Sequence, residues 1–288
     1  MFKNYISLTK PRICLMVAIS AYLGYYLALR VNDSYMLQLD EWIVFFHLMV
    51  GTLLSSAGAC TLNQALEYKS DLKMERTKER AIPKGYISPF SGLIFGIICS
   101  LLGIFYLDYY INSIVSLLSL LTVICYILLY TPLKRVTYLN TLVGAIPGAL
   151  PPVGGWFAVS NDFSLITIIL FSIMFCWQIP HFLALAYMYS DDYKRGGFIM
   201  LPSLYSNQIQ TRIHVVFFTF ILIIITFSLY FSKLVGMSYL FLNMLLSSGF
   251  VYAVAKFTFN VNIKTARQLF FASIIYLPML LLLIIIAS

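Results

Sequence analysis

Long apolar runs separated by short polar segments make up almost the whole chain of 288 residues. A helix needs about 20 apolar residues to cross a hydrocarbon core about 30 Å thick. Apolar and polar residues do not alternate with a period of two, the pattern expected for the strands of a membrane barrel. The runs cover residues 12–29, 42–62, 89–107, 111–131, 139–160, 163–189, 211–232, 236–255 and 268–287. The pattern predicts an all-α integral membrane protein, with nine transmembrane helices in one domain spanning residues 1–288.

The composition agrees with a chain that lies mainly in lipid, since 61% of the residues are hydrophobic and only 10% are charged. The cysteines show no CxxC spacing, which favours small core residues over metal ligands or disulfides. All five lie in or at the end of apolar runs: Cys14, Cys60, Cys99, Cys125 and Cys176. No small-residue cleavage site follows the first run, so a removed signal peptide is not expected.

Basic residues are concentrated on one side of the predicted membrane. With a cytoplasmic N-terminus, 17 Lys and Arg residues face the cytoplasm and only Arg30 and Lys233 lie outside. This asymmetry follows the positive-inside rule and predicts a bacterial inner (plasma) membrane protein with cytoplasmic loops at 63–88 and 190–210. The basic residues are spread over several segments instead of forming one groove, so no nucleic-acid partner is expected.

The first of these loops carries an amide and two carboxylates at four-residue spacing. If a helix continues beyond the second apolar run, Asn63, Glu67 and Asp71 lie on one face of it. Hard oxygen ligands of this kind suit Mg²⁺, which is typically held by one or two carboxylates together with substrate phosphates. The spacing therefore makes these three residues candidate metal ligands and catalytic residues.

Cations follow directly in the sequence and could neutralise phosphate oxygens: Lys73, Arg76, Lys78 and Arg80. The spacing has a second interpretation, a solvated juxtamembrane helix with ion pairs between Glu75 and Lys78 and between Arg76 and Glu79. Spacing alone leaves both interpretations open.

The second loop repeats this mixture of charges. Asp191 and Asp192 stand beside Lys194 and Arg195, which predicts a second half-site for metal and phosphate. Gln178 and His181 precede them at membrane depth, near the helix-kinking Pro180. Polar groups are costly in lipid, so both are expected to face the bundle interior. His181 alone is also explained as a structural histidine that bonds a neighbouring helix.

The segment between the two loops is irregular. Lys134, Arg135 and Asn140 gather at the cytoplasmic entry to the fifth run. The run itself contains Gly144, Gly148, Gly154, Gly155, Pro147, Pro151 and Pro152. Such a helix is tolerated where it packs tightly or lines a cavity.

Several of these segments together resemble a known family. They are "YISLTKPRICLMVAISAYLGYYLA", N-x-x-x-E-x-x-x-D-x-x-M-x-R-T-x-x-R from Asn63, "YTPLKR.T..N", "G..PPVGGW", "W..PHF.ALA.....DY..GG..MLP" and "AR.LFFASIIYL". In this order they are similar to the heme-farnesylating branch of the UbiA intramembrane prenyltransferase superfamily. The chain departs from the common pattern of this branch in two regions. Glu67 replaces an aspartate in the first motif. Toward the second loop, adjacent Asp191 and Asp192 replace D-x-x-x-D, and "WQIPHF" replaces W-T-P-P-H-F.

The resemblance implies helices arranged around a central cavity, with two acidic motifs binding Mg²⁺ and prenyl diphosphate at the cytoplasmic rim. It implies farnesyl transfer from farnesyl diphosphate to the vinyl group of heme b, with addition of water. The implied metal and diphosphate ligands are Asn63, Glu67, Asp71, Asp191 and Asp192. Implied substrate contacts are Lys73, Arg76, Arg80, Lys134, Arg135, Asn140, Tyr193 and Lys194, with His181 and Arg195 toward heme.

Two other functions share parts of this pattern. A UbiA-type enzyme that prenylates a quinone precursor would have the same acidic motifs. A secondary transporter would have similar broken helices, but its ionisable residues are expected at mid-membrane instead of the rim. A heme A synthase or a terminal oxidase is an expected partner on pathway logic alone.

Overall fold

The computed structural model describes residues 2–34, 36–204 and 207–288, and the described residues are predominantly helical. A six-residue π-helical segment, Cys125–Tyr130, interrupts the series of α-helices. The helices are α1 (Phe2–Leu8), α2 (Pro11–Val31), α3 (Leu39–Asp71), α4 (Pro89–Tyr110), α5 (Ser113–Ile124), α6 (Thr131–Leu133), α7 (Asn140–Phe157), α8 (Leu165–Met188), α9 (Ser190–Gly196), α10 (Leu201–Leu204), α11 (Ile209–Phe231), α12 (Met237–Phe259) and α13 (Ile263–Ala287).

Eight helical segments within the described ranges are long and apolar enough to cross a membrane, with Ser113–Leu133 counted as one span. The remaining predicted span, at 139–160, forms α7 and is not among the eight. It has 18 residues, about 27 Å of helix, which is marginal for a hydrocarbon core. The all-α membrane fold is confirmed, whereas the count of nine spans is not.

The glycines of α7 allow it to approach α2 very closely. A Cβ atom placed on Gly155 would lie 1.8 Å from the carbonyl oxygen of Ala21, and one placed on Gly24 would lie 1.8 Å from that of Pro152. Backbone contact of this kind requires small residues, as is common between membrane helices. The "PPVGGW" and "YLGYY" stretches are therefore the two sides of one helix contact.

The helices form a ring with α7 and α8 between two groups. In the first group α2, α3, α4 and α5 pack in succession, and α7 contacts both α2 and α5. In the second group α8 contacts α11 and α13, and α12 joins these two. Large apolar side chains outside the ring are exposed, as expected for a lipid-facing surface; examples are Phe105, Leu128, Phe231, Leu245 and Phe259.

Two small apolar clusters hold α1 and the two charged loops against the bundle. Leu8 of α1 packs with Ala65 of α3 and with residues of the loop that follows α3. Met74 of that loop packs with Ala186, Phe198 and Met200 from α8 and the second loop. The two loops therefore meet over the end of the bundle.

The π-helical segment has a local cause. Pro132 lacks the N–H that would bond the carbonyl four residues earlier, and the Thr131 hydroxyl donates to the Tyr126 carbonyl at 2.8 Å. Widened turns of this kind often occur at functional sites.

Candidate active site

A polar cavity of about 170 Å³ lies at the end of the first helix group where α3 ends and α2 begins. Helix α3, the loop after it, the π-helical segment and the second loop all contribute to its wall. The lining residues are Lys10, Ile13, Asn63, Glu67, Asp71, Met74, Arg76, Arg80, Tyr126, Tyr130, Lys134, Tyr193, Phe198 and Met200. The cavity thus combines two carboxylates, one amide and four cations in a single space.

Helix α3 supplies the oxygen ligands as the four-residue spacing predicts. It continues to Asp71, so Asn63, Glu67 and Asp71 lie on one face and all line the cavity. All three are buried. The Asn63 amide nitrogen donates to the Thr131 hydroxyl at 3.1 Å, which fixes the amide so that its oxygen remains available to a ligand.

Glu67 is paired with Lys134 across the cavity. The Lys134 ammonium lies 2.8 Å and 3.0 Å from the two carboxylate oxygens. Burial alone would lower the pKa of Lys134, but Tyr130 and the Glu67 carboxylate raise it above its usual value. The ammonium also lies 4.4 Å from the Tyr130 ring centroid, a distance typical of a cation–π contact.

Asp71 is paired in the same manner with the loop that follows it. Its Oδ2 atom accepts a hydrogen bond from Arg80 at 2.8 Å, and its backbone carbonyl accepts one from the Thr77 hydroxyl at 3.0 Å. Two positions of the R-T-x-x-R continuation therefore fold back onto the last carboxylate of the stripe.

Tyr126, Tyr130 and Lys134 project into the cavity from one face of the π-helical segment and the residues after it. The two tyrosine rings stack with centroids 5.4 Å apart. The Lys134 carbonyl accepts a 2.7 Å hydrogen bond from Ile199 N, which ties this face to the second loop. A wall of aromatic rings and one ammonium results.

Asp192 joins the loop after α3 to the second loop and does not line the cavity. Its carboxylate accepts the backbone N–H groups of Glu75 at 3.0 Å and Arg76 at 3.1 Å, and it forms an ion pair with Arg195. Burial raises the pKa of Asp192, but the two N–H donors and Arg195 together hold it below its usual value. Asp191 is exposed, and the role of either aspartate as a metal ligand stays a prediction.

The second half-site predicted for metal and phosphate stays a prediction. Within residues 2–34, 36–204 and 207–288, no group of three or more His, Cys, Asp and Glu side chains is arranged to hold a metal ion. The oxygen set that the cavity offers consists of Asn63, Glu67 and Asp71, because Asp192 is turned to the loop backbone.

Arg76 lines the cavity beside the aromatic residues of the second loop. Its guanidinium donates to the Tyr193 hydroxyl at 3.3 Å and lies 5.2 Å from the Tyr189 ring centroid. The ion pair predicted between Arg76 and Glu79 is replaced by one between Glu79 and Lys84, whereas Glu75 does pair with Lys78 at 2.5 Å.

The other predicted contacts lie outside the cavity. Lys73, Arg135 and Lys194 are exposed, and Arg135 donates to the Ser70 hydroxyl at 3.1 Å. Asn140 is buried and donates to the carbonyls of Thr137 and Ile199, which is a structural arrangement.

His181 of α8 packs against α13. Its Nδ1 atom is 2.8 Å from the Ser273 hydroxyl, and its ring stacks against Trp177 and Phe270. These contacts match the structural interpretation, and the interior-facing Gln178 bonds the Ala145 carbonyl of α7. The heme contact predicted for His181 stays a prediction.

An apolar chamber lies about one helical turn deeper than the polar cavity, between α2, α3, α5 and α7. Thr122 and Val123 line it four and three residues before Tyr126, and Ala59 lines it four residues before Asn63. A Cβ placed on Gly154, which also lines it, would meet no atom within 4 Å. The chamber measures about 50 Å³ and is lined mainly by apolar atoms.

Sequence reasoning missed several cavity residues, namely Lys10, Ile13, Met74, Tyr126, Tyr130, Phe198 and Met200. Tyr130 and Lys10 did have a signal. Tyr130 precedes Lys134 by four residues, and Lys10 opens the "KPRI" stretch at a helix start. The others come together only through the folding of the loops.

Comparisons with known proteins identify the family of the chain. The model of the UbiA prenyltransferase family matches residues 16–275. A Solibacter usitatus protein named protoheme IX farnesyltransferase is 35% identical over 283 residues, covering 96% of each chain. A protein of the same name from Sorangium cellulosum is 39% identical over 236 residues, covering 81% of this chain and 83% of its own.

Solved structures share the fold. A digeranylgeranylglyceryl phosphate synthase matches with a TM-score of 0.79 at 20% identity, covering 99% of this chain and 98% of its own. A UbiA homolog from Archaeoglobus fulgidus bound to DMAPP and Mg²⁺ matches with a TM-score of 0.63 at 15% identity, covering 98% and 99%. At these identities the likeness concerns the fold alone.

Proposed function

Because this chain belongs to the UbiA prenyltransferase family, we propose that its cavity is the active site of a heme-modifying member. The enzyme transfers a farnesyl group from farnesyl diphosphate to the vinyl group of heme b, with addition of water, and the product is heme O. Relatives with this name share 31–39% of their residues with the chain, most of them over nearly its full length.

The donor set of the cavity fits Mg²⁺. Asn63, Glu67 and Asp71 offer one amide oxygen and two carboxylates in a buried polar space, and this ion prefers oxygen ligands and shares its coordination with substrate phosphates. When bound, Mg²⁺ supplies Lewis acidity that withdraws charge from a leaving diphosphate.

The cations of the chain complete the diphosphate site. Lys134 and Arg80 are held by the carboxylates of Glu67 and Asp71, so a metal on those carboxylates would free both cations for phosphate oxygens. Four cations against two carboxylates leave the lining with an excess of two positive charges, by count of the residues in the wall. Preorganised charge of this kind stabilises a leaving anion.

The apolar chamber marks the direction in which the farnesyl chain would lie. It lies directly below the polar cavity along α3 and α5, so a diphosphate at Lys134 would direct its tail into the chamber. Tyr126 and Tyr130 line the polar cavity and can shield a developing allylic cation from water. His181 and Arg195 remain proposed contacts of the heme.

The charge distribution also suggests where in the cell the protein works. The chain is an integral membrane protein, and we place it in a bacterial inner membrane with the N-terminus and both loops in the cytoplasm, as the charge distribution indicates. A downstream heme A synthase or terminal oxidase is a proposed partner.

The observation that carries the proposal is the single cavity in which oxygen ligands and cations meet above an apolar chamber. The test is a reconstitution with heme b, farnesyl diphosphate and Mg²⁺, followed by mass spectrometry of the heme. We expect a heme heavier by one farnesyl group and one water, and no product after chelation of the metal. Unchanged heme together with prenylated 4-hydroxybenzoate or naphthoate would refute the heme assignment.

A further inference from the structure

Four cations line the polar cavity, and three of them have partners within it. Lys134 pairs with Glu67, Arg80 pairs with Asp71, and Arg76 contacts Tyr193. Lys10 also lines the cavity, yet within the described ranges its side chain makes no ion pair and no hydrogen bond. Burial lowers the pKa of its ammonium below the usual value, and an anion beside it would raise that pKa.

A sharp backbone turn between α1 and α2 positions Lys10 at the cavity. Lys10 stands between α1 and α2 in the left-handed region, with φ 49° and ψ 64°, which is uncommon for a residue other than glycine. Its carbonyl accepts the N–H groups of Ile13 and Cys14, and so begins α2. The sharp turn directs the chain from the membrane surface into the bundle.

Helix α1 holds the turn in place. The Gln64 amide of α3 donates to the Leu8 carbonyl at 2.7 Å, and the Leu8 side chain is fully buried. Tyr5 packs edge-on against Phe95 of α4 with centroids 5.0 Å apart. Gln64 directly follows Asn63, so α3 positions both an oxygen ligand and the turn that presents Lys10.

We propose that Lys10 is a fourth diphosphate-binding cation, presented to the cavity by the turn between α1 and α2. This inference rests on the proposed function, since it assigns Lys10 to the same site. Its ammonium supplies the anion with hydrogen-bond donors that no carboxylate of the wall competes for, whereas Lys134 and Arg80 must first leave their carboxylates.

The test is binding of inorganic diphosphate with Mg²⁺ to the full-length protein in detergent, measured by calorimetry without heme. Lys10→Asn removes the charge and suits the left-handed backbone, where asparagine is enriched. We expect a dissociation constant about tenfold higher, which corresponds to about 1.4 kcal/mol. Lys3→Asn, on the exposed part of α1, is the matched control and should change the constant less than twofold, and Lys10→Arg should retain most of the affinity.

A second measurement needs no variant. Diphosphate should protect Lys10 of the wild-type protein from an amine-reactive reagent, as peptide mass spectrometry would show, and should leave Lys3 as reactive as before. Wild-type affinity in Lys10→Asn, an equal loss in Lys3→Asn, or absence of protection would each overturn the proposal. Because no acceptor is present, a failure of heme farnesylation leaves this result independent.

Discussion

Replacement of Glu67 by glutamine should affect both folding and chemistry, and the structure allows the two effects to be separated. The Glu67 and Lys134 side chains are 6% and 11% exposed, so the pair is screened little by water. Removal of one partner of a buried pair typically costs about 3–5 kcal/mol, because the other charge is left uncompensated. Glutamine keeps one oxygen acceptor for the ammonium, so we expect about 3 kcal/mol for Glu67→Gln.

The double variant Glu67→Gln/Lys134→Met isolates the cause. Methionine removes the unpaired charge and fills similar volume, and such replacements are often neutral for stability. The double variant should therefore recover most of the lost stability but remain inactive, since both the metal ligand and the phosphate contact are missing. Glu75→Gln is the control, because Glu75 and Lys78 form an exposed pair and exposed pairs contribute little.

Unfolding in detergent and mass spectrometry of the heme product measure the two effects. We expect Glu67→Gln to unfold at a melting temperature about 6 °C or more below the wild type and to yield no product. Equal destabilisation of the single and double variants would refute the role given to the buried pair. Normal turnover in Glu67→Gln would refute its role in metal binding.

Three further outcomes follow from the packing and the loop contacts. Gly154→Ala has open space at its Cβ position and should fold with unchanged or higher stability, while reduced transfer would show that the added methyl intrudes on the chamber. Gly155→Ala would place its Cβ 1.8 Å from a carbonyl oxygen and should destabilise the protein by about 3 kcal/mol or more in the same unfolding assay. Asp192→Ala releases two backbone N–H groups and should speed tryptic cleavage within residues 72–80, whereas Asp191→Ala should leave it unchanged. Equal cleavage in both aspartate variants would contradict the loop contact.

The helical membrane fold was predictable because each span is an apolar run of sufficient length. The fifth run, at 139–160, was predicted as a span by the same reasoning, but α7 ends after 18 residues and contains three prolines. The glycines of α7 predicted tight packing or a cavity, but the sequence did not indicate which helix they contact. That Gly155 and Gly24 meet backbone carbonyls on the partner helix depends on the crossing geometry of α2 and α7, which no local pattern encodes.

The oxygen stripe of the site was predictable for a similar reason, since Asn63, Glu67 and Asp71 share one helix and their spacing fixes their common face. The position of Asp192 was not predictable. The sequence shows a carboxylate beside cations, but it does not show the loop backbone that this carboxylate binds. Lys10 lies in the "TKPRI" stretch but its role was not predictable, since the turn that directs it into the cavity depends on α1 packing against α3.

The origin of the ligands explains how the site can be both rigid and responsive. The oxygen ligands lie on a single long helix that is buried at this end, so their spacing is fixed before any substrate arrives. The cations come from three other places: the turn before α2, the loop after α3 and the segment before α7. Asp192 joins that loop to the second loop, and Ile199 joins Lys134 to it as well. Movement of the second loop would therefore shift Arg76 and Lys134 together while the oxygen stripe stays in place.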